Sequence, residues 1–190
     1  MDNHVLALIA GFIAMALVAS SYFVKKKLHY LVFQLLGIVF LVLSYFFSEN
    51  FFAMAGLIVA FARTVTFALY ENRGIKAPLI WPFIFAALSF GSYFITSAGS
   101  PRPEDALFLA GLVGYAFIFR IRSLKLVRFL MLAPTVLSVL YNVLIPEPII
   151  FVVISYSFEL AANVVSIFKY HVFTKEKRAR KLESKNFQTP

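Results

Sequence analysis

Apolar blocks of about 15 to 22 residues recur along almost the whole sequence, separated by short segments rich in charge, Pro or Gly. About 17 to 25 apolar residues in a helix cross the hydrocarbon core of a bilayer, so most of these blocks are long enough to span it. Such blocks use nearly all of the 190 residues. Little chain is left for a soluble catalytic domain. The composition agrees: 61% of residues are hydrophobic and 14% charged, with a mean hydropathy of +0.84, well above the roughly half-apolar make-up of a soluble domain.

Charge and breaker residues divide the blocks into seven helices. The first runs from about Val5 to Val24, the second from Leu28 to Phe47, and the third from Phe51 to Tyr70 after a tight Ser48-Glu49-Asn50 turn. A polar loop at 71–76 leads to a fourth helix with Pro78 in its first turn, ending near Ala98. The stretch 99–105 carries Gly, Pro and charge and reads as a loop. The fifth helix starts at Ala106 and is short before Arg120 and Arg122, which are expected to snorkel from its end. A sixth spans Leu126 to Ile145 with Pro134 inside it, where a kink is expected. The seventh runs from Ile149 to Phe168 after Pro146-Glu147-Pro148, and residues 169–190 form a basic tail, helical at first.

The net charge of +9 follows topology rather than a nucleic-acid surface. Lys25, Lys26, Lys27, Arg73, Lys76, Arg120, Arg122, Lys125, Arg128 and the tail residues all fall on one side of a seven-span arrangement, and only Arg102 falls in a loop on the other. Lys and Arg favour the cytoplasmic side, which puts the N-terminus outside and the tail inside. The first apolar run has its basic cluster after it instead of before it, so it is read as an uncleaved first span. With no Cys there is no disulfide and no thiol nucleophile. His4, His29 and His171 are scattered, so no metal site is expected, and no nucleotide fingerprint or zincin pair is present. The chain is not expected to be an enzyme or to carry a cofactor.

Seven helices can be divided three, one and three, because an odd connecting helix returns the chain to its starting side. The expectation is an all-α membrane protein of two parallel triple-helix repeats, 5–70 and 106–168, joined by a connecting span at 77–98. Weak internal similarity is in register: Ala10-Gly11 falls opposite Ala110-Gly111, Tyr45 near Tyr141, and Arg63 opposite Asn163. Parallel repeats of this kind place sites near the midplane at their interface.

Two charged residues fall well inside spans, Arg63 in the third helix and Glu159 in the seventh. Charges at bilayer depth cost several kcal/mol and mark function by default. Each is the other's best partner, with Asn163 one turn from Glu159 on the same face. Two readings stay open: a lined solute site, or an ion pair that only packs helices. Gln34, Tyr45, Tyr141 and Asn142 are further polar candidates, with Gln34 as interhelical glue, the tyrosines as interface-belt residues, and Asn142 as a gate or a helix cap. Trp81 reads as an interface-belt residue. Gly37, Gly111 and Gly114 let helices approach closely.

The sequence resembles the YgjV-type family of small bacterial inner-membrane proteins. The likeness is carried by Phe119-Arg120-Ile121-Arg122-Ser123-Leu124 with Arg128, by Ala62-Arg63-Thr64, by Asn142 and by Asn163. That family is distantly similar to the small sugar transporters of the SWEET and PQ-loop kind, which have a three-plus-one-plus-three arrangement and set an asparagine of the third helix of each repeat against substrate. The resemblance implies that Arg63 and Asn163 take those positions. Arg63 is charged where those transporters have a neutral amide, and no Pro-Gln pair is present, so sugar specificity does not carry over.

The reading is therefore a solute-binding or transporting inner-membrane protein, with a small polar or anionic solute between the repeats and Arg63 as its charged contact. The competing reading is a membrane interaction or lipid-associated protein without transport. Membrane lipids are the expected surroundings, and the basic tail would attract anionic headgroups. A homodimer is allowed but not required, because two internal repeats can enclose a site without a second chain.

Overall fold

The computed structural model describes residues 3–49, 51–96, 103–144 and 150–172. These residues form seven helices and no strand: α1 (Asn3–Ser21), α2 (Lys27–Phe47), α3 (Phe51–Asn72), α4 (Ile80–Thr96), α5 (Asp105–Ile118), α6 (Leu124–Leu144) and α7 (Ile150–Ile167). A π-helical turn, Phe168–Val172, continues α7. Five of the helices are long and apolar enough to cross a membrane. α4 and α5 are apolar but shorter, at 17 and 14 residues. Residue 50, the 99–102 part of the Gly/Pro loop, the Pro146-Glu147-Pro148 turn and the tail from 173 onward lie outside the described residues.

Consecutive helices pack against one another along the whole chain, and α7 packs back on α1, closing a ring. Large aliphatic and aromatic side chains such as Leu8, Phe12, Phe83, Phe94, Ile154 and Phe158 cover the outside. An apolar exterior is what hydrocarbon surroundings require. Inside, Tyr22, Tyr30, Phe67, Phe119, Val127 and Met131 are buried in one cluster.

Small residues set how closely the helices approach. A Cβ placed on Gly37 would lie 2.5 Å from Val18 Cγ2 and 3.4 Å from the Ala14 carbonyl, so α1 and α2 touch at the backbone there. Gly111 and Gly114 face Pro134 and Ser138 of α6, which makes that pair an internal packing feature. α6 runs through Pro134 without ending, and the Pro134 carbonyl accepts a hydrogen bond from Ser138 Oγ at 2.9 Å.

At one end of the bundle, where α1 ends and α2 begins, basic side chains tie the loops together. Lys27 Nζ pairs with Glu71 at 2.9 Å across α2 and α3. α3 stops in a Schellman turn: Ile75 N–H donates to the Tyr70 carbonyl and Gly74 N–H to that of Glu71, with Gly74 at φ 66°. The turn presents carbonyls outward. Arg122 donates to that of Gly74 at 2.6 Å, and Arg120 Nε to that of Ala77 at 2.9 Å. Both arginines thereby bind the α3–α4 loop. Arg128 donates to the Val24 carbonyl at 2.6 Å and stacks on Tyr170, whose hydroxyl donates to the Phe23 carbonyl. This basic end is closed by a set of clamps joining α1, α2, α3, α5, α6 and the turn after α7.

Candidate functional site

α1, α2 and α7 enclose a cavity of about 340 Å3, the volume of about ten waters at roughly 30 Å3 each. It runs along α1 from His4 to Val18, bounded by Ser44, Tyr45 and Ser48 of α2 and by Val152, Ser155, Tyr156 and Glu159 of α7. His4, Ser48 and Val152 lie at the end of the bundle opposite the basic clamps. Glu159 lies nine residues into α7, roughly 13 Å along the axis at 1.5 Å per residue. Ala7 and Ala14 are the small side chains that leave this space on α1. The helical period puts Val152, Ser155, Tyr156 and Glu159 on one face of α7, so a single face supplies one whole wall.

Glu159 is only 8% exposed and accepts a 2.6 Å hydrogen bond from the Tyr22 hydroxyl, which reaches in from the end of α1. Tyr22 packs edge-on against Tyr30, Tyr30 against Phe119, and Phe119 against Tyr115. The result is a continuous aromatic wall from α1 through α2 to α5. Tyr30, Tyr115 and Tyr156 lie close enough to both Glu159 and Arg63 to couple electrostatically to each.

Arg63 does not pair with Glu159; among the described residues the one ion pair is Lys27–Glu71. Its guanidinium lies over the rings of Tyr115 and Phe119, at 5.4 and 5.2 Å from their centroids, and donates to the Leu112 carbonyl at 3.2 Å. Arg63 Nε has no hydrogen-bond partner. The physical reason is local: the electron-rich faces of two α5 rings and an α5 carbonyl satisfy most of a delocalised cation. The aromatic wall thus meets Arg63 at Tyr115 and Phe119 and the carboxylate at Tyr22. Arg63 is 4% exposed and does not line the cavity.

The other expected site residues scatter. Tyr45 lines the cavity. Gln34 donates to Ser21 Oγ at 3.0 Å and so joins α2 to α1, as interhelical glue would. Asn142 donates to the Ser138 carbonyl of its own helix at 2.7 Å, and Tyr141 packs on Phe108 of α5 with ring centroids 5.0 Å apart. Asn163 is fully buried and donates to the Arg128 carbonyl at 2.9 Å, holding α7 to the start of α6. Its Oδ1 has no partner. Trp81 donates to the Tyr70 hydroxyl and stacks on Phe85.

Sequence reasoning missed Tyr22, Tyr30, Tyr115, Tyr156 and Ser155. Tyr22 stands three residues before a lysine cluster, where a tyrosine reads as an interface-belt residue. Its hydroxyl turns inward instead. The available signal was spacing: Ser155 and Tyr156 precede Glu159 by four and three residues, which puts a hydroxyl and an aromatic ring beside the intramembrane carboxylate. No group of three His, Cys, Asp or Glu that could hold a metal occurs among the described residues.

Residues 5–174 match the family model Imp-YgjV, described as a bacterial inner membrane protein. No curated protein and no solved structure matches the chain.

Proposed function

The chain belongs to the YgjV family of bacterial inner membrane proteins, and we propose that it binds a small solute in the α1–α2–α7 cavity and carries it across the membrane. The observation that carries this reading is an ionisable side chain, Glu159, in the wall of a cavity within the apolar bundle. A charge held at this depth costs roughly 2.5 to 3.5 kcal/mol. Packing returns only the Tyr22 hydrogen bond for that cost, because among the described residues Glu159 has no cationic partner.

The asymmetry of the bundle supports the same reading. One end holds the cavity, and the other is closed by Lys27–Glu71 and by the arginine clamps. With the N-terminus outside, as the distribution of Lys and Arg favours, the cavity lies toward the outer side and the clamps toward the cytoplasm. The clamps are one salt bridge and single hydrogen bonds to loop carbonyls, which can release without breaking a helix. The helices pair in the same order on either side of α4, α1–α2–α3 and α5–α6–α7. We take these two triplets as parallel repeats that rock against each other. We assign no reaction chemistry to the chain, and lipid is its surrounding partner.

The test is a thermal-unfolding screen of the purified chain against amines, carboxylates, sugars and nucleosides, alongside Glu159→Gln. A solute at a hundred times its dissociation constant adds about 2.7 kcal/mol of stability. Stabilisation of the native chain that is lost or strongly weakened in Glu159→Gln supports the reading. Equal stabilisation of both chains, or none in any class, overturns it.

A further inference from the structure

Building on the reading of the cavity as a solute site, we infer that its ligand is a monovalent organic cation with an apolar body. Among the described residues the wall holds one carboxylate, Glu159, and no Lys or Arg; its one titratable nitrogen-bearing side chain is His4, at the far rim. Arg63, the cation inside α3, is held by Tyr115, Phe119 and the Leu112 carbonyl and stays off the wall. An anionic solute entering this cavity meets a carboxylate with no countercharge beside it. A cationic one supplies the partner that Glu159 lacks.

The remaining surface decides which kind of cation. A divalent metal ion needs about six oxygen ligands, and the wall offers one carboxylate with hydroxyls strung along the cavity's length. It is otherwise aliphatic, from Leu8 and Met15 to Leu41 and Val152. Such walls take hydrocarbon. Tyr45 and Tyr156 add aromatic rings to the wall, and the face of such a ring attracts an ammonium group at about 0.5 to 2 kcal/mol. A quaternary or protonated amine attached to an aromatic or branched alkyl group satisfies the carboxylate, the rings and the aliphatic lining together. A sugar leaves most of its hydroxyls against alkyl groups and is disfavoured.

Benzyltrimethylammonium, its uncharged isostere neopentylbenzene, and phenylacetate test this on the full chain in detergent. Binding is read as the ligand-dependent shift in unfolding temperature. The cation is expected to bind at least tenfold more tightly than the isostere, and Glu159→Gln, which keeps an acceptor for Tyr22, is expected to remove that preference. Ser155→Trp, which fills the cavity and leaves the carboxylate in place, is expected to abolish binding; ligand-free unfolding of each variant reports whether it folds. Equal affinity for cation and isostere, or a preference that survives Glu159→Gln, overturns the cation class. If phenylacetate or the isostere is instead the tighter ligand and Ser155→Trp blocks it, the cation class falls and the solute-site reading stands. If no probe binds and the broader solute screen is also blank, both fall.

Discussion

Replacing Gly37 with Ala puts the contact between α1 and α2 to a quantitative test. In an open helix position Gly→Ala stabilises by about 1 kcal/mol, because Ala loses less backbone entropy on folding. Here the added methyl would sit 2.5 Å from Val18 Cγ2 and 3.4 Å from the Ala14 carbonyl, against an optimal carbon–carbon separation of about 3.5 to 4.0 Å. Val18 is β-branched and stiff at χ1, so its methyl has no inexpensive rotamer to escape into. The helices must separate. Overpacking of this kind costs about 1 to 3 kcal/mol, and the close backbone approach argues for the upper half of that range. Less the helix-propensity gain, the net loss is about 1 to 2 kcal/mol. Unfolding by SDS in mixed micelles measures it. Removing the obstructing methyl with Val18→Ala should shrink the effect of Gly37→Ala or reverse its sign. A Gly37→Ala chain as stable as the parent, or a loss unchanged in the Val18→Ala background, refutes the packing argument.

Gly74→Ala should cost about 1 kcal/mol through strain at φ 66° alone, since no atom lies within 4 Å of its Cβ position; the same micelle titration reads it. Lys27→Met and Glu71→Gln should couple in a double-mutant cycle by about 1 to 3 kcal/mol, because each leaves the other member of a pair with a buried lysine without its countercharge. Tyr22→Phe and Glu159→Ala should show a larger coupling than Arg63→Met and Glu159→Ala, since only the first pair shares a hydrogen bond. A larger Arg63–Glu159 term would restore the ion pair as the reason for the two charges.

Helix number, order and approximate bounds were legible in the sequence because apolar length and charge placement act locally along each segment. Glu159 was legible for the same reason, as a charge inside an apolar run. Its partner was not. In the sequence Arg63 is the opposite charge at matching depth, yet the ring faces of Tyr115 and Phe119 together with the Leu112 carbonyl satisfy it on α5. Which neighbour a buried arginine takes depends on helix rotation, and that is set by contacts such as Val18 against Gly37 that no period along the chain reveals. The inward turn of Tyr22 and the capture of Arg120 and Arg122 by loop carbonyls are likewise tertiary outcomes. Tyr45 was selected for a match with Tyr141, but only Tyr45 borders the cavity.

The central claim is that Glu159's cavity is reached from the end opposite the basic clamps. The native chain contains no Cys, so a single thiol can be introduced without background. Ser155→Cys places it on the cavity wall, and Ser166→Cys places it at a fully buried position farther along α7 toward the clamps. Intact cells would be treated with a membrane-impermeant thiosulfonate and the protein analysed by mass spectrometry. The account predicts modification at position 155, slowed by a bound solute, and none at position 166. An unreactive thiol at 155 in a folded chain, or equal reaction at both positions, would contradict it.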